Sequence, residues 1–138
     1  MKIKIFALTH KKFEVPQDKM YQPLQVGREE KVDLGYLCDN TGDNISAGNC
    51  YYSELTGLYW IWKNVHTYKY VGTCHYRRYL LNEQEKIFTE AEYLELLKDY
   101  DLITTKRVVL NNSYHYGFAT NHNIHALDMT GEVIKELY

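Results

Sequence analysis

Proline is almost missing from this sequence, with two residues in 138, and no proline-rich or other low-complexity linker breaks the chain. Long apolar runs are missing too. None approaches the ~20 residues a membrane-spanning helix needs. The start, "MKIKIFALTH", has only a short apolar stretch, too short for a secretory leader. Cysteine is scarce, and Cys38, Cys50 and Cys74 form no Cys-x-x-Cys pair, which excludes a zinc ribbon and a disulfide framework. A net charge of −2 gives no field that would draw nucleic acid or an anionic membrane. These absences place the chain in the cytoplasm as a single domain with reduced thiols.

Tyrosine, by contrast, occurs 14 times against four phenylalanines. It supplies apolar area plus a hydroxyl, which suits half-buried walls and clefts that bind sugars or nucleotides; filling a small core is the plainer use. Along the chain, residues 2–8 predict a buried first strand ending at Thr9 and His10. A long connection follows, with extended pieces near 24–26 and 34–37, and then "TGDNISAGN", a loop by composition. In "SELTGLYWIWKNV", Leu55, Leu58, Tyr59 and Trp62 recur at helical spacing and predict an inward face, with Ser53 or Asn49 as cap. Trp60 falls off that stripe, and with Lys63 it could face a cleft or another layer, although core packing is the better reading for both tryptophans.

Residues 70–74 predict a second buried strand. "TEAEYLELLKDY" opens with Thr89 and Glu92 in a capping box, with Tyr93, Leu94 and Leu97 on one face. Residues 102–104 predict a further strand, and the last helix would turn Val133, Ile134 and Leu137 inward. Alternating strands and helices imply an α/β layered fold with a mostly parallel sheet.

Ligands of open α/β sheets sit beyond the carboxyl ends of the strands. Polar clusters fall at three such ends: Thr9-His10, then His75-Tyr76-Arg77-Arg78 within "CHYRRY", then Thr105-Lys106-Arg107. Converging cations suit an anion such as a diphosphate, although paired arginines after a strand also serve as salt-bridged sheet edges. Cys74 and His75 are neighbours on a strand and point to opposite faces, so they form no catalytic pair. Asp39, Asp43 and Asn44 lie in a carboxylate-rich loop that could hold ribose or sugar hydroxyls. Glu54 follows at a helix start, where a negative charge also suits the dipole. His122 and His125 form a lone His-x-x-His, with too few ligands at a recognisable spacing for zinc.

The blocks "GDNISAGNCYYSELTGLYWIWKN" and "YVGTCHYRRYL", with "ALTHKKFEVPQDKMYQPLQVG" before them, resemble the DUF4422 family of bacterial domains. That family is met with capsular and exopolysaccharide synthesis, and its members are commonly called glycosyltransferases. The resemblance covers essentially the whole chain and implies a GT-A-like, nucleotide-sugar-binding fold over residues 1–138. It implies a nucleotide-sugar donor held by Thr9, His10, Asp39, Asp43, Asn44, Glu54, Lys63, His75, Tyr76, Arg77 and Arg78, with His75 the best catalytic candidate. It also implies a glycan or lipid-linked acceptor, reached in the cytoplasm or at the inner face of the membrane. The strand that would carry an Asp-x-Asp metal motif ends in "HYRRY" instead. Two readings stay open: arginine or histidine neutralises the leaving diphosphate, or a divalent Mn or Mg ion is held by other residues. The family continues beyond the last residue here. The chain is therefore expected to be a donor-binding half, completed by a homo-oligomer or partner protein, or else a non-catalytic assembly module or inactive truncated fragment.

Overall fold

The computed structural model describes all 138 residues, in two compact units, Met1–Thr104 and Thr105–Tyr138. In the first unit, four strands form one sheet in the order β3-β2-β1-β4: β1 (Ile3–Thr9), β2 (Tyr21–Gln25), β3 (Leu37–Cys38) and β4 (Tyr70–His75). Every pairing is parallel, with β1 central between β2 (Ile5 opposite Tyr21) and β4 (Ile3 opposite Tyr70). β1 is apolar almost throughout because both of its faces are covered.

Phe6 and Leu8 point to one side and pack with Leu24, Val26, Trp60 and Ile61. Ile3 and Ile5 point to the other and pack with Met20, Tyr21 and Tyr93. The first layer is supplied by the helix α2 (Leu55–Asn64), which follows the single turn α1 (Asn49–Tyr52). Gly57 lets α2 lie close, since a Cβ there would meet Val26 at 2.7 Å and Leu8 at 2.9 Å. The second layer is α3 (Glu90–Leu96), opened by the Thr89–Glu92 capping box. Glu90 ties it to the sheet by accepting the Lys2 and Ile3 amides at 2.6 and 3.2 Å.

Several sequence expectations are corrected here. The buried face of α2 is Thr56, Gly57, Trp60 and Ile61, whereas Leu55 and Trp62 are 56% and 66% exposed. Small Thr56 and Gly57 permit a closer approach than a leucine stripe would, so the apparent apolar stripe faces out. Trp60, by contrast, packs in the core as the better of its two readings had it, its ring edge-on to Phe6 and its indole N–H bonded to the Thr41 carbonyl at 2.8 Å. Neither Ser53 nor Asn49 caps α2; its first flanking residue is Glu54, with no side-chain cap. Residues 102–104 are outside the sheet, so no strand end there delivers Thr105, Lys106 and Arg107 to a crevice.

The second unit holds α4 (Tyr114–Ala119), capped by Ser113, and α5 (Ile124–Leu137), capped by Asn123. Val133, Ile134 and Leu137 are exposed rather than inward. His115 approaches Asp128 at 3.2 Å, and His122 stacks on Phe118. No helix is long and apolar enough to cross a membrane.

Candidate functional site

The sheet order fixes where a ligand fits. From β1 the chain moves outward to β2 and β3, then returns across β1 to place β4 on its other side. That reversal puts the topological switch point at the carboxyl ends of β1 and β4, where open α/β sheets form their ligand crevice. His10 follows β1, and His75, Tyr76 and Arg77 end β4.

Tyr76 is the buried centre of this cluster, its backbone N–H bonded to the Leu8 carbonyl at 3.1 Å. His10 meets its ring edge-on at 5.5 Å, Phe13 leans on it at 5.6 Å, and the His75 ring lies 4.3 Å away. Two cations sit over the same ring, the Arg77 guanidinium at 5.1 Å and the Lys11 ammonium at 6.0 Å. Neither Lys11, Arg77 nor Arg78 has a carboxylate within ion-pair distance. The salt-bridged-edge explanation of the paired arginines therefore fails; the nearby acid, Glu54, approaches His75 at 3.5 Å and pairs with none of these cations.

Both imidazoles register that charge. Desolvation lowers His10 below its ordinary value, and Lys11, Lys31 and Arg77 add to the effect. Desolvation likewise lowers His75, with Arg77, Arg78 and His10 pushing the same way and Glu54 opposing. His75 Nδ1 accepts the Arg77 backbone N–H at 3.2 Å, so in the neutral ring the proton is on Nε2. That nitrogen is 3.5 Å from Glu54 Oε1.

A depression of about 340 Å³ lies alongside, walled by Tyr52, Glu54, Leu55 and Leu58 from the α1–α2 region and by Thr73 and His75 from β4. The Ser53 backbone, at φ 48°, forms part of its rim and is held by Asn49, which accepts the Ser53 N–H at 2.8 Å and donates to its carbonyl at 2.6 Å.

The remaining expected site residues fall elsewhere. Thr9 is buried, its hydroxyl turned back onto Lys11 of its own chain turn. Asp39 is fully buried and accepts four hydrogen bonds: Gly27 N–H, Arg28 N–H, Ser46 Oγ and Thr56 Oγ1, at 2.8, 3.1, 2.6 and 2.6 Å. It pins loops and α2 together and offers nothing outward. Asp43 and Lys63 pair at 3.8 Å at the far end of α2 from Glu54, and Asn44 bonds within its own loop. Arg78 turns back on β4, donating its backbone N–H to the His75 carbonyl at 2.8 Å.

Cys74 faces the opposite side of the sheet from His75, among the Ile3–Ile5 layer, and burial pushes its thiol up to about 12. Sequence reasoning missed Lys11 and Tyr52, which carry no motif, although "THK" placed Lys11 just after the first strand. It also missed an Asp-x-Asp triplet, Asp99-Tyr100-Asp101, which follows α3 on exposed chain. No group of three or more His, Cys, Asp or Glu side chains is arranged to hold a metal ion.

A four-stranded parallel sheet flanked by helices, with a cationic crevice at its switch point, defines a layered α/β domain. The chain belongs to the DUF4422 family, described as a domain of unknown function, whose model matches residues 4–138. It is also similar to a solved structure described as the WbbM bifunctional glycosyltransferase in its apo form, at 42% identity and a TM-score of 0.54. That likeness covers 58% of this chain and 14% of the other, so the chain spans a small part of that protein's length. No curated protein matches the sequence.

Proposed function

We propose that this chain is the donor-binding part of a glycosyltransferase of capsular or exopolysaccharide synthesis, taking a nucleotide-sugar at the carboxyl ends of β1 and β4. The observation that carries the reading is the unpaired positive charge of Lys11 and Arg77 over the buried Tyr76 ring. Two cations held on one aromatic platform, without an acid between them, suit a diphosphate. Similarity to part of a bifunctional glycosyltransferase supports the same reading. The acceptor would be a glycan or lipid-linked sugar, met in the cytoplasm or at the membrane surface, with a partner or second copy completing the enzyme. Residues that bind and orient the donor are read here as Lys11, His10, His75 and Arg77, while Asp39 acts only by holding the loops.

Calorimetry with a panel of UDP- and GDP-sugars, with and without Mn²⁺, tests this. Binding of at least one donor is expected, and Lys11→Ala and Arg77→Ala should each weaken it about tenfold with little change in melting temperature. Failure of the folded chain to bind any member of the panel refutes the proposal.

A further inference from the structure

The depression beside β4 is not used by the cationic seat, yet the two share His75. Its lining combines apolar Leu8, Leu55 and Leu58 with polar Glu54, Thr73 and His75 and the aromatic Tyr52. A sugar ring has the matching surface, an apolar C–H face bordered by hydroxyls. We propose that this depression seats the sugar ring of the donor, with Glu54 the carboxylate that accepts its hydroxyl hydrogens and His75 the positioning residue that orients Glu54. The proposal rests on the donor-binding reading above and names where the sugar goes within it.

The roles follow from hydrogen-bond accounting. His75 Nδ1 accepts the Arg77 amide at 3.2 Å, which leaves the ring proton on Nε2, 3.5 Å from Glu54 Oε1, an approach rather than a full hydrogen bond. A neutral imidazole placed so has no lone pair left for a substrate hydroxyl, which removes His75 as a proton acceptor. Glu54 is the opposite case. Its carboxylate is half-exposed, its Oε1 faces the imidazole, and no Lys or Arg pairs with it. An ionised carboxylate has about four acceptor sites, so most remain for hydroxyl groups.

Its position is fixed from behind. Thr56 Oγ1 donates its one proton to Asp39 at 2.6 Å and accepts from Asn49 Nδ2 at 3.1 Å, and Asn49 Nδ2 grips the Ser53 carbonyl at 2.6 Å. The peptide before Glu54 is thereby tied to the buried core. Through the His75–Tyr76 ring contact at 4.3 Å, the hydroxyl-accepting carboxylate adjoins the platform carrying Lys11 and Arg77. Phosphates and sugar are neighbours in a nucleotide-sugar in the same way.

The experiment compares UDP with UDP-glucose, and GDP with GDP-mannose, on the 138-residue chain and its Glu54→Gln variant by calorimetry. Glu54 is exposed and caps nothing, so the variant keeps its fold. Glu54→Gln is expected to weaken the nucleotide-sugar by about tenfold and leave the bare nucleoside diphosphate within about twofold. Equal loss for both, or loss for neither, overturns this inference while leaving diphosphate binding in place. Absence of binding to all four ligands overturns the functional reading, and this inference with it.

Nitrogen NMR of the ligand-free chain supplies the positioning readout. The His75 proton should be found on Nε2, and Glu54→Gln should lower the titration point of that ring, because the one neighbouring charge that raises it is removed. A titration point that does not move overturns the pairing.

Discussion

Thr56 Oγ1 donates to Asp39 Oδ2 at 2.6 Å, and both residues are fully buried. This bond joins α2 to the turn at Gly27 and Arg28, whose amides share the same carboxylate. Thr56→Val keeps the side-chain shape, removes one donor from a buried charge and leaves Asn49 without its Thr56 contact. It should cost about 1–3 kcal/mol. Asp39→Asn turns an acceptor into a donor facing other donors and should cost about 3 kcal/mol or more. Urea melts followed by circular dichroism read both losses, and an unchanged midpoint for Thr56→Val would contradict the network's role.

Gly57 is required by proximity rather than by backbone angle. A methyl group there would press on Leu8 of β1 and on Val26, the residue just past the end of β2. The gain in helix propensity from Gly to Ala, about 1 kcal/mol, is opposed by overpacking of about 1–3 kcal/mol. A net loss of stability is expected for Gly57→Ala, and thermal denaturation checks the sign.

Acid should destabilise the fold through two histidines before it reaches the carboxylates. His10 and His75 both titrate below the unfolded value of 6.5, so the unfolded chain binds more protons across that interval. Their contribution is complete above that unfolded value and is lost as pH falls through their folded values. Glu90 and Glu92 are held below 4.5, Glu90 by the Lys2 and Ile3 amides and Glu92 by the Asn82 and Thr89 bonds. Their contribution persists until the pH falls below that figure. Urea midpoints measured from about pH 7.5 down to 5 should decline, and the His10→Asn/His75→Asn double variant should flatten the decline.

Cys74 should be inert. With its thiol near 12, the thiolate fraction at pH 8 is on the order of one in ten thousand. Cys50 is exposed, and Cys38 is half-buried with its thiol raised by burial. A disulfide reagent should therefore show one fast thiol, abolished by Cys50→Ser. Rapid labelling of Cys74 in the folded chain would contradict its placement in the core.

The strands and the capping box were legible because their signals are local. The apolar run at β1, the short strand at β4 and the Thr89–Glu92 pair each declare themselves within a few residues, although β4 is an edge strand with no fully buried residue rather than the buried strand expected. The face of α2 was not legible, since Leu55, Leu58, Tyr59 and Trp62 make the stronger apolar stripe while Thr56 and Gly57 do the close packing. Periodicity measures hydrophobicity, and here small size decided which side approached the sheet. Residues 102–104 read as a strand from composition alone, but pairing is a property of neighbours, and none is there. "CHYRRY" falls at the carboxyl end of β4, while Asp39, Asp43 and Lys63 looked equally suited to a ligand. Only the fold shows that Asp39 is enclosed and that the other two pair with each other.

The central strand is also the first of the four strands in chain order. β1 occupies residues 3–9 and pairs on one side with β4, which begins at Tyr70. During translation, Ile3, Ile5, Phe6 and Leu8 can meet β2 early but wait until His75 is made for β4, leaving an apolar segment with one hydrogen-bonding edge open. Long-range parallel pairing of this kind folds slowly and exposes sticky surface meanwhile. Recovery of soluble chain should therefore respond to synthesis rate and holding chaperones more than to any change confined to the crevice.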